Sequence, residues 1–276
     1  MSNEADTQTQ NARMPVLFIP HGAGPCFFMD WNPADTWYKM ADFLKHLAST
    51  LPSRPSAIVL VSAHWLEPRF SLTGHARPPL IYDYSGFPSH TYELTYPTPG
   101  DPALAGRAAQ LLEQAGLEAE VEAERGFDHG MFIPLKLVFP SADIPVVQLS
   151  LRHDMDPAAH LAAGRALAAL RDENILIIGS GMSFHNMRGY GDTRYTPLSA
   201  EFDEWLTAAV ESPQEQRTAL LQAWTQAPHA RHCHPPGGEE HLIPLLVAAG
   251  AADTSQGCKI YSERVMETTL SAYRFG

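Results

Sequence analysis

Three apolar runs of this chain each lead into a histidine. The runs are Val16–Pro20, Ile58–Ala63 and Ile175–Ile178, and the histidines that follow them are His21, His64 and, after a short Gly/Ser turn, His185. Unbroken runs of Val, Ile and Leu are typical of parallel strands that are buried on both faces. Open α/β sheets bind ligands beyond the carboxyl ends of their strands. The pattern therefore predicts imidazoles from three strands at one sheet edge, and neutral imidazole is the commonest protein ligand of metal ions.

Strand-like and helix-like segments alternate along the chain. Strands are predicted at about 15–20, 57–63, 69–73, 144–151 and 175–179, with one or two short strands at the end; helices are predicted at about 35–49, 102–115, 129–138, 157–170, 199–223 and 239–248. Such alternation predicts one α/β domain, with a central, mostly parallel or mixed sheet covered by helices on both faces. We expect this domain to span residues 14–276 and the polar residues 1–13 to form a disordered tail.

Composition narrows the class of partner and the compartment. With a net charge of −12, the chain lacks the excess of basic residues that binding to a nucleic-acid backbone requires. The same charge disfavours binding to anionic membranes. The start of the chain has no apolar segment behind a basic one, so no signal peptide is predicted. The three cysteines are an odd number without framework spacing, which indicates reduced thiols in a cytoplasmic protein. The sequence leaves a monomer and a homodimer both open.

Each candidate histidine also has a structural interpretation. His21 can be a turn residue, His64 a hydrogen-bonded core residue, and His185 a loop residue that caps a helix. Taken together, three strand-end histidines favour a metal site. His129 lies between glycines beside Asp128, and His241 follows Glu240 in the first turn of the last predicted long helix. The remaining histidines are predicted to lie on the surface: His46, His75, His90, His153, His160, His229, His232 and His234.

Several common enzyme motifs are missing from the chain. Gly22-x-Gly24 and Gly179-x-Gly181 lack the third glycine of a dinucleotide fingerprint, and no phosphate-binding P-loop motif occurs. Ser180 does not fit the nucleophile elbow of hydrolases, and His64-x-x-Glu67 is not the zinc-protease motif. These exclusions leave the histidine set as the main functional signal.

Seven short blocks in one order resemble a known family. The blocks are His21-Gly22 with Gly24-Pro25, Val61-Ser62-Ala63-His64-Trp65, Gly86-Phe87-Pro88, Gly126-Phe127-Asp128-His129-Gly130, Pro145 with Val147-Gln148-Leu149-Ser150, Gly179-Ser180-Gly181 with His185-Asn186, and Glu240-His241 with Pro244-Leu245. Together they resemble the class III extradiol ring-cleavage dioxygenases, in the LigB-like or DOPA 4,5-dioxygenase-like branch. The resemblance covers residues from about 14 to 275.

The resemblance implies a metal-dependent enzyme that opens a catechol ring with dioxygen. It implies a non-haem metal, Fe(II) for activity with Zn(II) as an alternative bound ion, held by His21, His64 and His241. His185 would be the acid/base or a further ligand, and His129 would lie near the substrate oxygens. Other class III enzymes use a glutamate as the third ligand, so Glu240 and His241 both stay open. The substrate would be a DOPA-like catechol or a catecholic acid.

Two other functions use the same residues. A zinc hydrolase needs three ligands and a bound water, which the histidines can also supply. A non-catalytic, partner-binding relative is the third hypothesis, although it predicts loss of a histidine set that is intact here.

The segment from Pro78 to Pro102 is rich in Pro, Gly and Tyr. Its length is typical of an active-site lid, but a Pro-stiffened surface excursion fits equally well.

Overall fold

The fold is built on one eight-stranded mixed sheet with the strand order β4-β3-β5-β2-β6-β1-β8-β7. A computed structural model describes residues 13–276. The strands are β1 (Val16–Pro20), β2 (Ala57–Glu67), β3 (Phe70–Thr73), β4 (Ala119–Glu122), β5 (Val146–Arg152), β6 (Ile175–Gly181), β7 (Gly257–Val265) and β8 (Thr268–Phe275). The predicted tail lies outside the described residues except for Arg13, whose Nε lies 3.0 Å from the Asp172 carboxylate.

The strands β1 and β6, which precede His21 and His185, and β2, which contains His64, are neighbours at the centre of the sheet. β6 pairs in parallel with β1 on one side and with β2 on the other. Ile19 and Ser62 both lie opposite Ser180, so these three positions are level across the sheet, next to the ends of β1 and β6. Antiparallel pairs join β8 to β1 and β3 to β5. The mixed α/β sheet predicted from the sequence is confirmed.

Helices cover this sheet. They are α1 (Tyr38–Leu47), α2 (Pro102–Gln114), α3 (His129–Val138), α4 (Pro157–Leu167), α5 (Tyr195–Glu211), α6 (Gln214–Gln222), α7 (Ala230–Cys233) and α8 (Ile243–Ala251). Every residue of α8 is buried. Gly164 allows α4 to approach α8 closely, since a Cβ at Gly164 would lie 2.0 Å from the Val247 carbonyl oxygen. Among residues 13–276, no helix combines the length and apolar character needed to cross a bilayer.

Several elements of the structure differ from the prediction. β2 runs on to Glu67, past the predicted end at residue 63. The last helix begins at Ile243 and not at residue 239, because residues 235–242 are occupied by turns and Pro244 sits in the first turn of the helix. The terminal strands form a hairpin of nine and eight residues, longer than predicted. β4 was missed because its four residues are only partly buried and carry little apolar pattern.

Two histidines predicted to lie on the surface are buried, namely His160 and His234. The neutral ring of His160 is fully used: its Nδ1 lies 2.7 Å from the Asp156 carbonyl oxygen, and its Nε2 accepts the Arg152 backbone N–H at 3.1 Å. For His160 the surface prediction was wrong because a ring with both nitrogens paired can be buried at little cost. His234 pairs only its Nε2, which lies 2.9 Å from the Ser183 carbonyl oxygen.

We expect His160 to make the fold sensitive to acid. Burial lowers the pKa of His160 from 6.5 to about 4, so the unfolded chain takes up this proton first as the pH falls. Stability from the neutral ring is therefore complete above pH 6.5 and is lost between pH 6.5 and 4. Urea unfolding should give His160→Gln a lower free energy of unfolding than the wild type at pH 7. The difference between the two free energies should be about 2 kcal/mol smaller at pH 5. A gap of equal size at both pH values would contradict this prediction.

Candidate metal centre and active site

Five histidine rings meet at the carboxyl edge of the central strands. His21 follows β1, His129 is the first residue of α3, and His185 lies in the loop after β6. The ring centroid of His64 lies 4.8 Å from that of His21, 3.9 Å from that of His129 and 4.8 Å from that of His241. The rings of His185 and His241 stack with centroids 3.4 Å apart. The fold thus brings all five candidate residues into one cluster.

Two of these histidines are placed differently from the prediction. His64 does not follow a strand end; it lies within β2, beside a shift in the register of β2 against β5. A bulge of this kind re-aims side chains, which explains how a residue inside a strand can face the site. His241 does not lie in a helix, because it precedes α8 in a turn. This turn, and not helical geometry, sets the position of its ring.

The end of β6 holds the backbone of two histidines. The Gly181 carbonyl accepts the N–H of His21 at 3.2 Å, and the N–H of Met182 donates to the His241 carbonyl at 2.9 Å. Residues far apart in the chain are therefore tied to the two sides of one peptide group, the one between Gly181 and Met182. This attachment keeps the rings of His21 and His241 within 5.1 Å of each other.

Hydrogen bonds decide which nitrogen of His21 is free. The Ser180 hydroxyl donates to the Gly130 carbonyl, so its oxygen accepts from the His21 Nδ1–H at 3.2 Å. The proton on Nδ1 leaves Nε2 of His21 as a bare lone pair. This Nε2 lies 3.1 Å from the Nε2 of His64. A cation between the two nitrogens would satisfy both, since metal–imidazole distances are about 2.0–2.1 Å.

Asp83 is the functional residue that the sequence analysis missed. Its Oδ1 accepts both the Nδ1–H and the backbone N–H of His129, at 2.8 and 2.9 Å. Its Oδ2 lies 3.7 Å from the Nδ1 of His64. One carboxylate therefore favours the Nδ1–H form of both rings and leaves their Nε2 atoms free. Asp83 belongs to the long Pro78–Pro102 segment, which shows that part of this segment supports the site.

Glu240 has the same role on the opposite side of the cluster. Its Oε1 accepts the Nδ1–H of His241 at 2.8 Å and lies 3.5 Å from the Nδ1 of His185. The carboxylate thus orients His241 so that its Nε2 is free.

Ligand atoms of His21, His64 and His129 lie within 4.8 Å of one another, and those of His185, Glu240 and His241 form a second such group. The set His21, His64 and His241 therefore draws on both groups.

A buried carboxylate holds the segment that carries His129. Asp128 accepts the Ser62 hydroxyl at 2.7 Å, the amide of Gln148 and the guanidinium of Arg125 at 3.3 Å. Burial and the nearby Asp83 charge raise the pKa of Asp128, although the Ser62 hydroxyl and Arg125 oppose the shift. Gly130 is needed here because a Cβ would lie 2.6 Å from the Ser62 hydroxyl. The start of α3 is therefore locked against β2, next to His64.

Four imidazoles of the cluster are held in the neutral form that binds metals. Burial lowers the pKa of His21 and of His241 well below 6.5, and the neighbouring histidines add to the effect. Burial, again with neighbouring histidines, lowers the pKa of His64 to about 3, and burial lowers that of His185 to about 4. Neutral nitrogens with fixed tautomers are the donor set that a divalent transition metal requires. The residues present therefore fit a metal ion.

The cluster forms the floor of a cavity of about 330 Å³. Its walls are mostly aromatic, with Trp31, Trp37, Tyr84, Phe87 and Tyr190 contributing side chains. Tyr84 and Phe87 come from the Pro78–Pro102 segment, and Tyr84 packs edge-on against His129 with centroids 5.6 Å apart. Polar groups at the floor and aromatic walls are typical of a site for a small planar ligand.

Comparisons with known proteins agree with this site. Residues 15–276 match the family described as the catalytic LigB subunit of aromatic ring-opening dioxygenase. The chain belongs to this family. It is 38% identical over 288 residues to the dioxygenase tasH of Hapsidospora irregularis, with 97% of this chain and 87% of that protein covered. It is 37% identical over 271 residues to the 4,5-DOPA dioxygenase extradiol of Escherichia coli strain K12, with 96% and 95% covered.

A solved structure shows the same fold. The crystal structure of an uncharacterized protein from Escherichia coli K12 superposes with a TM-score of 0.76 at 31% identity, covering 96% of this chain and 100% of that chain. The predicted class III extradiol dioxygenase, a metal-dependent enzyme that opens a catechol ring, is thus confirmed. Neither the zinc hydrolase nor the non-catalytic relative is favoured.

Loss of the Asp83 charge is expected to weaken the metal centre. Asp83→Asn keeps the size of the side chain but removes the carboxylate that fixes His129 and faces His64. We expect metal affinity or kcat to fall about 10-fold to 100-fold, the usual effect of losing such a partner. Fe(II) titration under argon and oxygen-uptake rates measure the two quantities. The exposed Asp42→Asn serves as the control, and equal behaviour of the two variants would refute the role of Asp83.

Proposed function

We propose that this protein uses Fe(II), held by His21, His64 and His241, to open the ring of a DOPA-like catechol or a catecholic acid. The observation that carries the proposal is the pair of bare Nε2 atoms of His21 and His64, 3.1 Å apart on the floor of an aromatic cavity. The Nε2 of His241 completes the set, because Glu240 occupies its Nδ1. Bound Fe(II) would supply Lewis acidity and electron transfer between the catechol and dioxygen.

The protein side chains then have separate tasks. The aromatic walls stack against the catechol ring and exclude water from it. His185 is neutral near pH 7, because burial lowers its pKa to about 4, and it can accept a proton from a catechol hydroxyl. The same ring, once protonated, can return this proton to the product. His129 has a free Nε2 that can accept a hydrogen bond from the second hydroxyl, since its Nδ1–H is held by Asp83.

The relatives agree on a catechol with a charged side chain. Curated proteins at 37% identity in Escherichia coli and in Beta vulgaris are named 4,5-DOPA dioxygenases. A protein of Mycolicibacterium smegmatis, 30% identical over 141 residues, is named for dihydroxyphenylpropionate and dihydroxycinnamic acid. These names support the catechol class for this chain and leave the position of ring cleavage to experiment.

A reducing compartment fits the cysteines, and we place the protein in the cytoplasm on that ground. Cys26 and Cys233 are buried and unpaired, and Cys258 is exposed and unpaired. Burial raises the pKa of Cys233 to about 12, so its thiol is unreactive. Free thiols beside an oxygen-dependent site are best maintained where glutathione keeps them reduced.

A single-turnover assay with defined metals tests the proposed ring opening. The protein is loaded with Fe(II) or Zn(II) under argon, mixed with DOPA, dihydrocaffeate or protocatechuate, and exposed to air. We expect oxygen uptake and a coloured ring-fission product with Fe(II) only. Ester or amide cleavage with Zn(II) and no oxygen uptake would instead establish the hydrolase. Failure of every catechol with Fe(II) bound would refute the proposed substrate class.

A further inference from the structure

The aromatic cavity has no charged wall. Among residues 13–276, the residues that line it are histidines, aromatic residues, methionines, one alanine and two glycines, without any Lys, Arg, Asp or Glu. A carboxylate on the substrate would lose its hydration there without gaining a partner, which is costly. The cavity therefore suits the catechol ring itself and leaves a charged side chain to be bound elsewhere.

A second cavity, of about 510 Å³, adjoins the first. His185 and Met187 line both cavities, so the two meet at these residues. Met187 is 72% exposed, and a methionine side chain is flexible enough to move aside. A short substituent on a ring in the first cavity can therefore extend past Met187 into the second.

Arg188 is the cation of the second cavity that is free to bind an anion. Its side chain is exposed and makes no ion pair with any residue that the structure describes. Its backbone is fixed, because its N–H donates to the Asn186 side chain at 3.0 Å, and the Asn186 amide donates to the His232 carbonyl at 2.7 Å. The guanidinium thus projects from an anchored part of the loop between β6 and α5.

The other charged groups of this cavity are already engaged. Arg231 pairs with Glu239 and lies over the ring of Trp224, at 5.0 Å from its centroid. The Glu240 carboxylate accepts the His241 Nδ1–H and faces His185. A carboxylate that enters the cavity would meet Arg188 as its unpaired partner of opposite charge.

We propose that Arg188 binds the side-chain carboxylate of the substrate while the catechol ring occupies the aromatic cavity. This proposal rests on the proposed function and narrows its substrate class to catechols that carry a carboxylate on a short chain. Guanidinium groups bind carboxylates through two parallel N–H donors, so Arg188 would also orient the ring above the histidines. Arg188 is then a specificity-determining residue, and its loss should affect acids and spare neutral catechols.

Comparing dihydrocaffeate with its methyl ester tests the role of Arg188, because the acid carries a negative charge that the ester lacks. We expect wild-type kcat/KM to be about 10-fold higher for the acid, with a preference that weakens as salt is added, since Arg188 is exposed. Arg188→Met should remove the preference and leave turnover of the ester unchanged. Arg188→Lys should keep part of it. Arg194→Met removes an exposed arginine that does not line either cavity and should behave as the wild type.

Binding without turnover separates this proposal from the proposed function. Trp31 and Trp37 line the aromatic cavity, so tryptophan fluorescence under argon can report on both ligands. The acid should bind about 10-fold more tightly than the ester to the wild type and equally tightly to Arg188→Met. Equal affinity of acid and ester for the wild type, or an unchanged preference in Arg188→Met, would overturn the role of Arg188. Absence of turnover with normal binding would count against the proposed function alone.

Discussion

Replacing His241 with alanine is expected to weaken Fe(II) binding about 100-fold or more, whereas Glu240→Gln should weaken it only about 10-fold. Structural zinc sites gain roughly 10–16 kcal/mol from four ligands, so each ligand contributes about 2.5–4 kcal/mol on average. Glu240 acts through His241: its Oε1 accepts the Nδ1–H at 2.8 Å. A glutamine can accept the same hydrogen bond and loses only the charge, which is a smaller effect.

Competition with a chelator under argon measures these affinities. His46→Ala, on the exposed face of α1, controls for loss of an imidazole, and Glu113→Gln, exposed on α2, controls for loss of a carboxylate. Circular dichroism shows whether each variant is folded. If Glu240→Gln lost the ion while His241→Ala kept it, the glutamate would be the third ligand. Full Fe(II) binding by both variants would exclude both residues.

Replacing His185 with glutamine is expected to lower kcat about 100-fold to 10,000-fold while the metal stays bound. The range is the usual contribution of a positioned acid or base. The ring of His185 lies on the cavity wall, stacks on His241 and is not needed for the pair formed by His21 and His64. The substrate should still bind, because the aromatic walls are unchanged.

The His185 variant is tested by kcat and by metal content together. His46→Gln serves as the matched control, since its ring is exposed and distant from the cluster. A fall in kcat with Fe(II) content unchanged supports the acid/base role. Loss of the ion from His185→Gln would make His185 a further ligand, and unchanged turnover with Fe(II) bound would exclude both roles.

The central strands β1 and β6, and the histidines that follow them, were predictable because a run of apolar residues is a local feature of the sequence. The apolar runs before His21 and His185 became β1 and β6, because strands buried on both faces are made mostly of Val, Ile and Leu. His64 was harder to place. The bulge in β2 depends on the partner strand β5, and a single sequence does not show how two strands pair.

The carboxylates of Glu240 and Asp83, which hold the histidine rings, show a second limit of prediction from the sequence. Glu240 was noticed beside His241, but only as a competing ligand, whereas the structure shows it accepting the Nδ1–H of that histidine. Asp83 escaped notice because it lies among tyrosines in a segment without periodicity, 46 positions from His129. His160 was misjudged because its partners, the Asp156 carbonyl and the Arg152 N–H, are backbone groups that any residue can offer.

By itself the sequence determined an α/β chain in which His21 and His185 follow buried strands, together with the family that this order of motifs resembles. These properties depend on hydrophobic runs and on residues close to one another in the chain. The tertiary structure alone decided which ring nitrogens are free, which carboxylates hold the rings, and that Arg188 lines a cavity next to the aromatic one. Hydrogen bonds between distant segments have no sequence period, so only the packed chain reveals them.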